Sequence, residues 1–183
     1  MKTLLFTLLM FALNPFAIAS IDIGNEVPAL SINDKGELIL DGESISYQPW
    51  DSKDLAGKVH VVQYLAARMS AKTINEPFTD KVDSLDFPAD DFHFTTIINM
   101  KDAFFGTSGF VLGEVESNKR KYPQTSIVAD KDGKGAKQWQ LNKKSSAIIV
   151  LSDQGKVLFF KDGGLNNDEI DAAINLIQQQ IDQ

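Results

Sequence analysis

Gly57-Lys58-Val59-His60-Val61-Val62-Gln63-Tyr64-Leu65-Ala66-Ala67-Arg68-Met69-Ser70-Ala71-Lys72 is the stretch on which the fold turns. Val59 to Ala66 is almost continuously apolar and rich in β-branched side chains. Such a run suits a strand buried on both faces, as in a parallel sheet. Ser70 is placed to N-cap a helix that carries on to about Leu85. Pro77 falls inside that helix, where it removes a backbone donor and crowds the preceding turn, so a kink is expected there. A buried strand feeding a helix through a short loop is the start of a βαβ unit.

Working outward, Phe92 to Met100 reads as a second strand and Thr125 to Ala129 as a third. Between them Gly106 to Gly109 is expected to be a loop, and Val111 to Lys121 a helix stopped by Tyr122-Pro123. Asp130-Lys131-Asp132-Gly133 makes a turn, and Ala136 to Gln140 a short helix. Ala147 to Leu151 and Lys156 to Lys161 form two antiparallel strands around Asp153-Gln154-Gly155. A last helix starts near Asn166 or Asn167, with Asp168 and Glu169 in its first turn and an apolar stripe of Ile170, Ala173, Ile174, Ile177 and Ile181. Upstream, Glu37 to Leu40 and Ser44 to Tyr47 flank Asp41-Gly42-Glu43, a hairpin signal. Trp50 to Leu55 suggests a short helical turn ended by Gly57. The predicted order is β-α-β-α-β-(α)-β-β-α after an N-terminal β-hairpin extension. That is an α/β fold: a central mixed β-sheet with helices on both faces through right-handed crossovers.

The N-terminus reads as a targeting segment. Lys2 is followed by an apolar run from Leu4 to Leu13, then Asn14-Pro15, then Ala17-Ile18-Ala19, the small-x-small pattern of a cleavage site. The run is shorter than the ~20 residues a membrane span needs. Residues 1–19 are expected to be a signal peptide cleaved after Ala19, and residues 20–183 one domain in the bacterial periplasm, with no membrane span. The whole chain has 183 residues and a net charge of −7. Removing the leader takes Lys2 and no acid, which leaves −8 (17 − 25). An acidic average disfavours nucleic acid and anionic membrane as partners. The chain contains no cysteine, so its own side chains cannot form, break or shuffle a disulfide.

The pattern resembles the thioredoxin-like superfamily. There a buried strand leads into a Cys-x-x-Cys pair opening a helix, and a proline kinks that helix eight positions after the first thiol. Pro77 lies eight positions after Met69, so Met69 and Lys72 stand where the resemblance puts the thiols. Aligned on the Gly155 turn, Ser146 stands where the superfamily has a cis-proline facing them. A serine there is expected to follow a trans bond, since a non-prolyl cis bond costs about 2.5–4 kcal/mol. More closely, the chain resembles the YtfJ family of bacterial periplasmic thioredoxin-like proteins. The resemblance rests on Gly24-Asn25-Glu26-Val27-Pro28, Gly36-Glu37-Leu38-Ile39-Leu40, Ser70-Ala71-Lys72, Glu116-Ser117-Asn118-Lys119, Trp139-Gln140-Leu141, Ser145-Ser146-Ala147 and Lys161-Asp162-Gly163. It implies a fold and a compartment and brings no reaction with it.

Arg68, Met69, Ser70 and Lys72, with Ser145 and Ser146 facing them, form the candidate binding surface. A helix N-terminus with two cations beside it could take a small anion or carboxylate. The plainer reading makes Ser70 an N-cap and leaves both cations solvated. A Ser70–Lys72 nucleophile pair is disfavoured, because positions i and i+2 of a helix point apart. His60 and His93 lie in or beside strands with no zinc-type spacing, and would need a carboxylate to hold a metal. Asp130-Lys131-Asp132-Gly133-Lys134 lacks the third oxygen ligand and the glutamate of a calcium loop, so it reads as a turn. Phe104, Phe105 and Phe110 bracket the Gly106 loop, and any that are exposed would mark a partner site. No cofactor is implied and no catalytic residue stands out. The expectation is an exported module without thiol redox activity that binds a periplasmic protein or a small anion. The rivals are an enzyme of non-thiol chemistry and an auxiliary subunit of an envelope-maturation system.

Overall fold

The computed structural model describes residues 20–104, 106 and 108–183. The predicted leader, 1–19, and Phe105 lie outside them. The strands are β1 (Ser31–Asp41), β2 (Ser44–Asp51), β3 (Val59–Ala66), β4 (Phe92–Asn99), β5 (Ser126–Asp130), β6 (Ser146–Leu151) and β7 (Val157–Asp162). The helices are α1 (Met69–Lys72), α2 (Glu76–Leu85), α3 (Ser108–Lys121), α4 (Lys134–Gln138) and α5 (Asn167–Ile181). One seven-stranded sheet runs in the order β2-β1-β5-β4-β3-β6-β7. β3, β4 and β5 are parallel, and the other neighbours are antiparallel.

Alternation along β3 sorts the core. His60, Val62 and Tyr64 face one way, and Val59, Val61, Gln63 and Leu65 the other. On the first face Val62 and Tyr64 pack with Leu30, Trp50, Trp139 and Ile149, under α4 and the lead-in segment. On the second, Val59 and Val61 meet Phe78 and Val82 of α2 and Ile170, Ala173, Ile174 and Ile177 of α5. Leu65 and Ile98 meet Val115 of α3 on that same side. The helices are therefore divided unequally, with α2, α3 and α5 on one face and α4 on the other. Fully burying a side chain such as Phe78 contributes about 1.5–3 kcal/mol. The α5 stripe is buried as its periodicity predicts, and the helix opens with a reciprocal capping box. Asn166 Oδ1 accepts from the Glu169 N–H at 2.9 Å, and the Asn166 N–H donates to Glu169 Oε2 at 2.9 Å.

Three local expectations need correction, while the N-terminal hairpin forms as read and also widens the sheet, because β1 pairs with β5 through Gly36 and Glu37. Gly36 allows the close approach of the hairpin's own two strands. It sits at φ +77° inside a bulge, where a Cβ would lie 2.0 Å from the Gln48 carbonyl oxygen. Trp50 belongs to β2 and the core, and the tight turn after it is Ser52–Leu55, capped by the Asp51 carboxylate on the Lys53 N–H at 3.0 Å. The helix after β5's neighbour β4 starts at Ser108, three residues earlier than the Val111 start read from the sequence. The helix expected from Ser70 to Leu85 is also interrupted. A 3₁₀ turn over Thr73–Asn75 separates α1 from α2, and Pro77 sits in the first turn of α2. Proline has no N–H to return to Thr73, so that carbonyl accepts from the Glu76 N–H instead.

The interruption is held by a buried polar knot. Asn75 is 1% exposed and Ser146 is 0% exposed. Asn75 Nδ2 donates to Ser146 Oγ at 3.1 Å and to the Gly163 carbonyl at 3.1 Å. Its Oδ1 accepts from the Leu165 N–H at 3.0 Å. Gln63 Nε2 donates to the same Ser146 hydroxyl at 3.2 Å. One side chain thus joins the α1–α2 junction, β6 and the β7–α5 loop. Replacing Asn75 with alanine strands several buried partners at once, and a loss of about 2–4 kcal/mol in urea unfolding is expected. A loss no greater than that of the surface variant Thr79→Ala would refute the assignment.

His60 and His93 are register partners on β3 and β4, and their rings meet edge to face at 5.0 Å. His60 Nε2 shares a 2.7 Å hydrogen bond with Thr95 Oγ1, and His93 Nε2 a 2.9 Å one with Ser126 Oγ. Burial and the neighbouring His93 push His60 down to about 3, and burial lowers His93 too. Among the described residues no group of three or more His, Cys, Asp or Glu side chains could hold a metal ion. Because the folded state resists protonation that the unfolded chain accepts near pH 6.5, acid favours unfolding. Stability should fall from about pH 6.5 towards pH 3, by up to about 1.4 kcal/mol per pH unit for His60, with His93 acting in the same direction. Urea midpoints at pH 7.5 and 5.0 test this, and His60→Gln should flatten the difference. Equal midpoints in the unmodified protein would refute it.

Candidate functional site

β3, β4 and β5 run parallel and finish at the same end of the sheet, and β6 begins there. The loops after them carry the predicted surface. Arg68 takes the cap position of α1 with no side-chain cap bond, so Ser70 is not the N-cap. Ser70 is exposed within α1, and α1 is only four residues long. The anion site expected at the N-terminus of a long helix therefore loses its basis, since aligned peptide dipoles sum only along a continuous helix.

Arg68 is instead fixed by its own contacts. Its Nε donates to the Asp102 carbonyl at 2.5 Å, and its guanidinium lies 4.2 Å from the centroid of the Phe104 ring. That is cation–π range, worth about 0.5–1 kcal/mol at an exposed site. Asp102 also accepts the Lys144 N–H on Oδ2 at 2.9 Å. Asp102 thus ties the loops after β3 and β4 to the loop before β6. Lys72 reaches Glu114 of α3 at 3.8 Å, an exposed pair of small energetic weight. Met69 is left 65% exposed.

The six predicted residues separate into two levels. Arg68, Met69, Ser70 and Lys72 share the surface. Ser145 is half-buried, and its carbonyl accepts from the Ala66 N–H at 2.9 Å. Ser146 lies beneath, sealed by Asn75 and Gln63, and cannot touch a ligand at that surface. Among the described residues there is no cis peptide bond, and the chain approaches β6 through Lys144 at a left-handed φ of 57°. Ser70 and Lys72 form no pair, since Lys72 turns to Glu114.

The Asp130 turn is a helix cap. Asp130 accepts the Lys134 N–H at 2.9 Å, the Gly135 N–H at 2.8 Å and the Tyr64 hydroxyl at 2.8 Å. With the carboxylate so engaged, no calcium loop is formed. Burial, with Asp130 beside it, raises the Tyr64 phenol far above its ordinary range. Two cavities, of about 300 and 250 Å³, lie at the opposite end of the sheet, around His60 and His93 and around Ser52 and Gln154.

Sequence reasoning passed over Gln63, Asn75 and Asp102. Gln63 carried a signal as the lone amide inside an apolar strand. Asn75 carried one too, because it precedes the buried Phe78 and Val82 by three and seven positions, on one helical stripe. Asp102 carried none, because its role exists only once the three loops meet.

The geometry fits what is found among known proteins. The family described as "Bacterial protein of unknown function (YtfJ_HI0045)" matches residues 21–180. An Escherichia coli K12 relative, "Uncharacterized protein YtfJ", is 40% identical over 158 residues, 86% of each chain. Among solved structures, the thioredoxin-like superfamily protein SPOA0173 superposes with a TM-score of 0.58 at 15% identity, covering 86% of this chain and 97% of that one. A thiol-disulfide isomerase from Corynebacterium glutamicum gives 0.56 at 14% identity, covering 85% and 97%. At such identity these likenesses show the thioredoxin-like fold alone. With the family matched across nearly all of the described domain, the chain belongs to the YtfJ family of thioredoxin-like proteins.

Proposed function

We propose that this protein is an exported recognition module, periplasmic and without thiol redox activity, that uses the Arg68–Lys72 end of the sheet as its binding surface. One observation carries the reading. The end where the superfamily resemblance puts a dithiol is occupied by Met69 and Lys72, while the serine facing it is closed off by Asn75 and Gln63. What reaches solvent there is an apolar thioether, an arginine stacked on Phe104 and several lysines. These groups bind and do not exchange electrons. Export is supported by Lys2, the apolar Leu4–Leu13 run and Ala17-Ile18-Ala19.

The mature protein should neither reduce insulin nor consume peroxide above the buffer rate, and turnover in either assay would overturn the reading. The position of the absent thiols is tested separately. Met69→Cys with Lys72→Cys places two sulfurs at i and i+3 on one helical face, close enough for a disulfide after small adjustment. Mass spectrometry of the air-oxidised variant should show the intramolecular disulfide. Two free thiols would mean that Met69 and Lys72 do not stand where a redox pair would.

A further inference from the structure

The net charge of −7 is not spread evenly. Asp54, Asp86, Asp90, Asp91 and Asp153 lie where β3 and β4 begin, with Lys53, Lys58 and Lys156 among them, at the end where the cavities around His60 and Gln154 open. Arg68, Lys72, Lys101, Lys131, Lys143 and Lys144 lie on the loops at the other end, against Asp102, Glu114 and Asp132, with Glu76, Asp168 and the Lys161-paired Glu169 on the side where α2 and α5 begin. Asp130 and Asp162 at that end turn inward onto backbone N–H groups. The cationic loops are physically joined. Asp102 links the Arg68 and Lys144 loops, and Gly133 lies so close to Asn99 and Lys101 that a Cβ would meet them at 2.9 and 3.3 Å. β3 has eight residues and spans roughly 26 Å. A Debye length of about 8 Å at physiological salt lets each end act on a partner by itself. The acidic average of the sequence therefore says little about this end.

Three large apolar side chains project from the same end. Met69 is 65% exposed, Phe104 62% and Phe110 78%. Phe110 lies one helical turn before Glu114, the α3 residue that reaches Lys72, so it stands on the same side as α1. The apolar groups protrude among cations spread over four loops.

We propose that this end docks on an anionic lipid surface, with Met69, Phe104 and Phe110 entering the headgroup layer and the lysines and Arg68 lying among the phosphates. The inference rests on the recognition-module reading and names its partner. Protruding apolar side chains beside exposed cations suit a soft, diffusely charged layer, into which apolar groups sink while cations stay at phosphate level. A folded acidic protein would have to offer a matching cleft for each projection.

The test is co-sedimentation with vesicles, using protein purified after export, with its N-terminus read by mass spectrometry. Binding to phosphatidylglycerol/phosphatidylethanolamine vesicles should exceed binding to phosphatidylcholine by about tenfold or more and fall with added salt. Lys143→Glu with Lys144→Glu, and separately Phe104→Ser with Phe110→Ser, should each weaken it about tenfold with the circular dichroism spectrum unchanged. Lys53→Glu with Lys156→Glu, at the acidic end, should leave binding as it was. No sedimentation with anionic vesicles, or binding indifferent to both apical variants, would overturn the proposal. So would a glutamate decamer or an oligonucleotide shifting the Arg68–Lys72 amides when vesicles do not, a result that leaves the recognition reading standing. Thiol turnover would strike that reading itself.

Discussion

The structure hangs on β3. Its eight residues lie inside a seven-stranded sheet, between β4 and β6, and are buried on both faces. A strand in that position cannot leave a polar group unanswered, because each unpaired one costs about 1–3 kcal/mol. Its second face carries one amide, Gln63, among valines and a leucine. Gln63 is met by Ser146, Ser146 by Asn75, and Asn75 by the Gly163 carbonyl and the Leu165 N–H. β3 thereby places the helix break, the start of β6 and the entry to α5. Those three places surround the candidate surface.

The helix break follows from this chain of bonds as well as from Pro77. A helix running unbroken from Ser70 would satisfy its own carbonyls and turn Asn75 elsewhere. The 3₁₀ turn at Thr73–Asn75 gives up regular bonds and gains a side chain that closes three elements together. The cost of the short α1 is the loss of an extended dipole above Arg68. Arg68 is held by the Asp102 carbonyl and the Phe104 ring in its place. The surface is consequently one of side chains on pinned loops, and owes little to a helix terminus.

Much of this was legible beforehand, and the parts that were not share a cause. The β3 run, the α5 stripe and the Asp-Gly turn are local signals and form where they were read, although the hairpin strands run well beyond their expected bounds, β1 from Ser31 and β2 to Asp51. The joining of β1 to β5 was not legible, because it pairs Gly36 and Glu37 with Ala129 and Val128, some ninety residues on. Ser70 as a cap was a sound local inference overruled by Arg68, whose partners come from a loop more than thirty residues on. Ser146 was placed at the right point of the fold and at the wrong depth. Its burial depends on Asn75, whose spacing from Phe78 and Val82 did point inward. Asp102 had no local signal of any kind.

The depth of Ser146 also decides what a partner can use. In the thioredoxin-like superfamily the loop at that point presents backbone to a thiol substrate. Here the Ser145 carbonyl accepts from the Ala66 N–H and the Ser146 carbonyl from the Gly163 N–H, both at 2.9 Å. The backbone groups of that loop are consumed within the sheet and its neighbouring turn. An extended peptide laid across this end would find few open backbone partners to pair with, and strand-like recognition draws its affinity from such pairs. In the proposed reading, binding comes from the thioether, the rings and the cations that project beyond the loops. Such groups favour a partner that offers negative charge and apolar depth without demanding a fixed hydrogen-bond register.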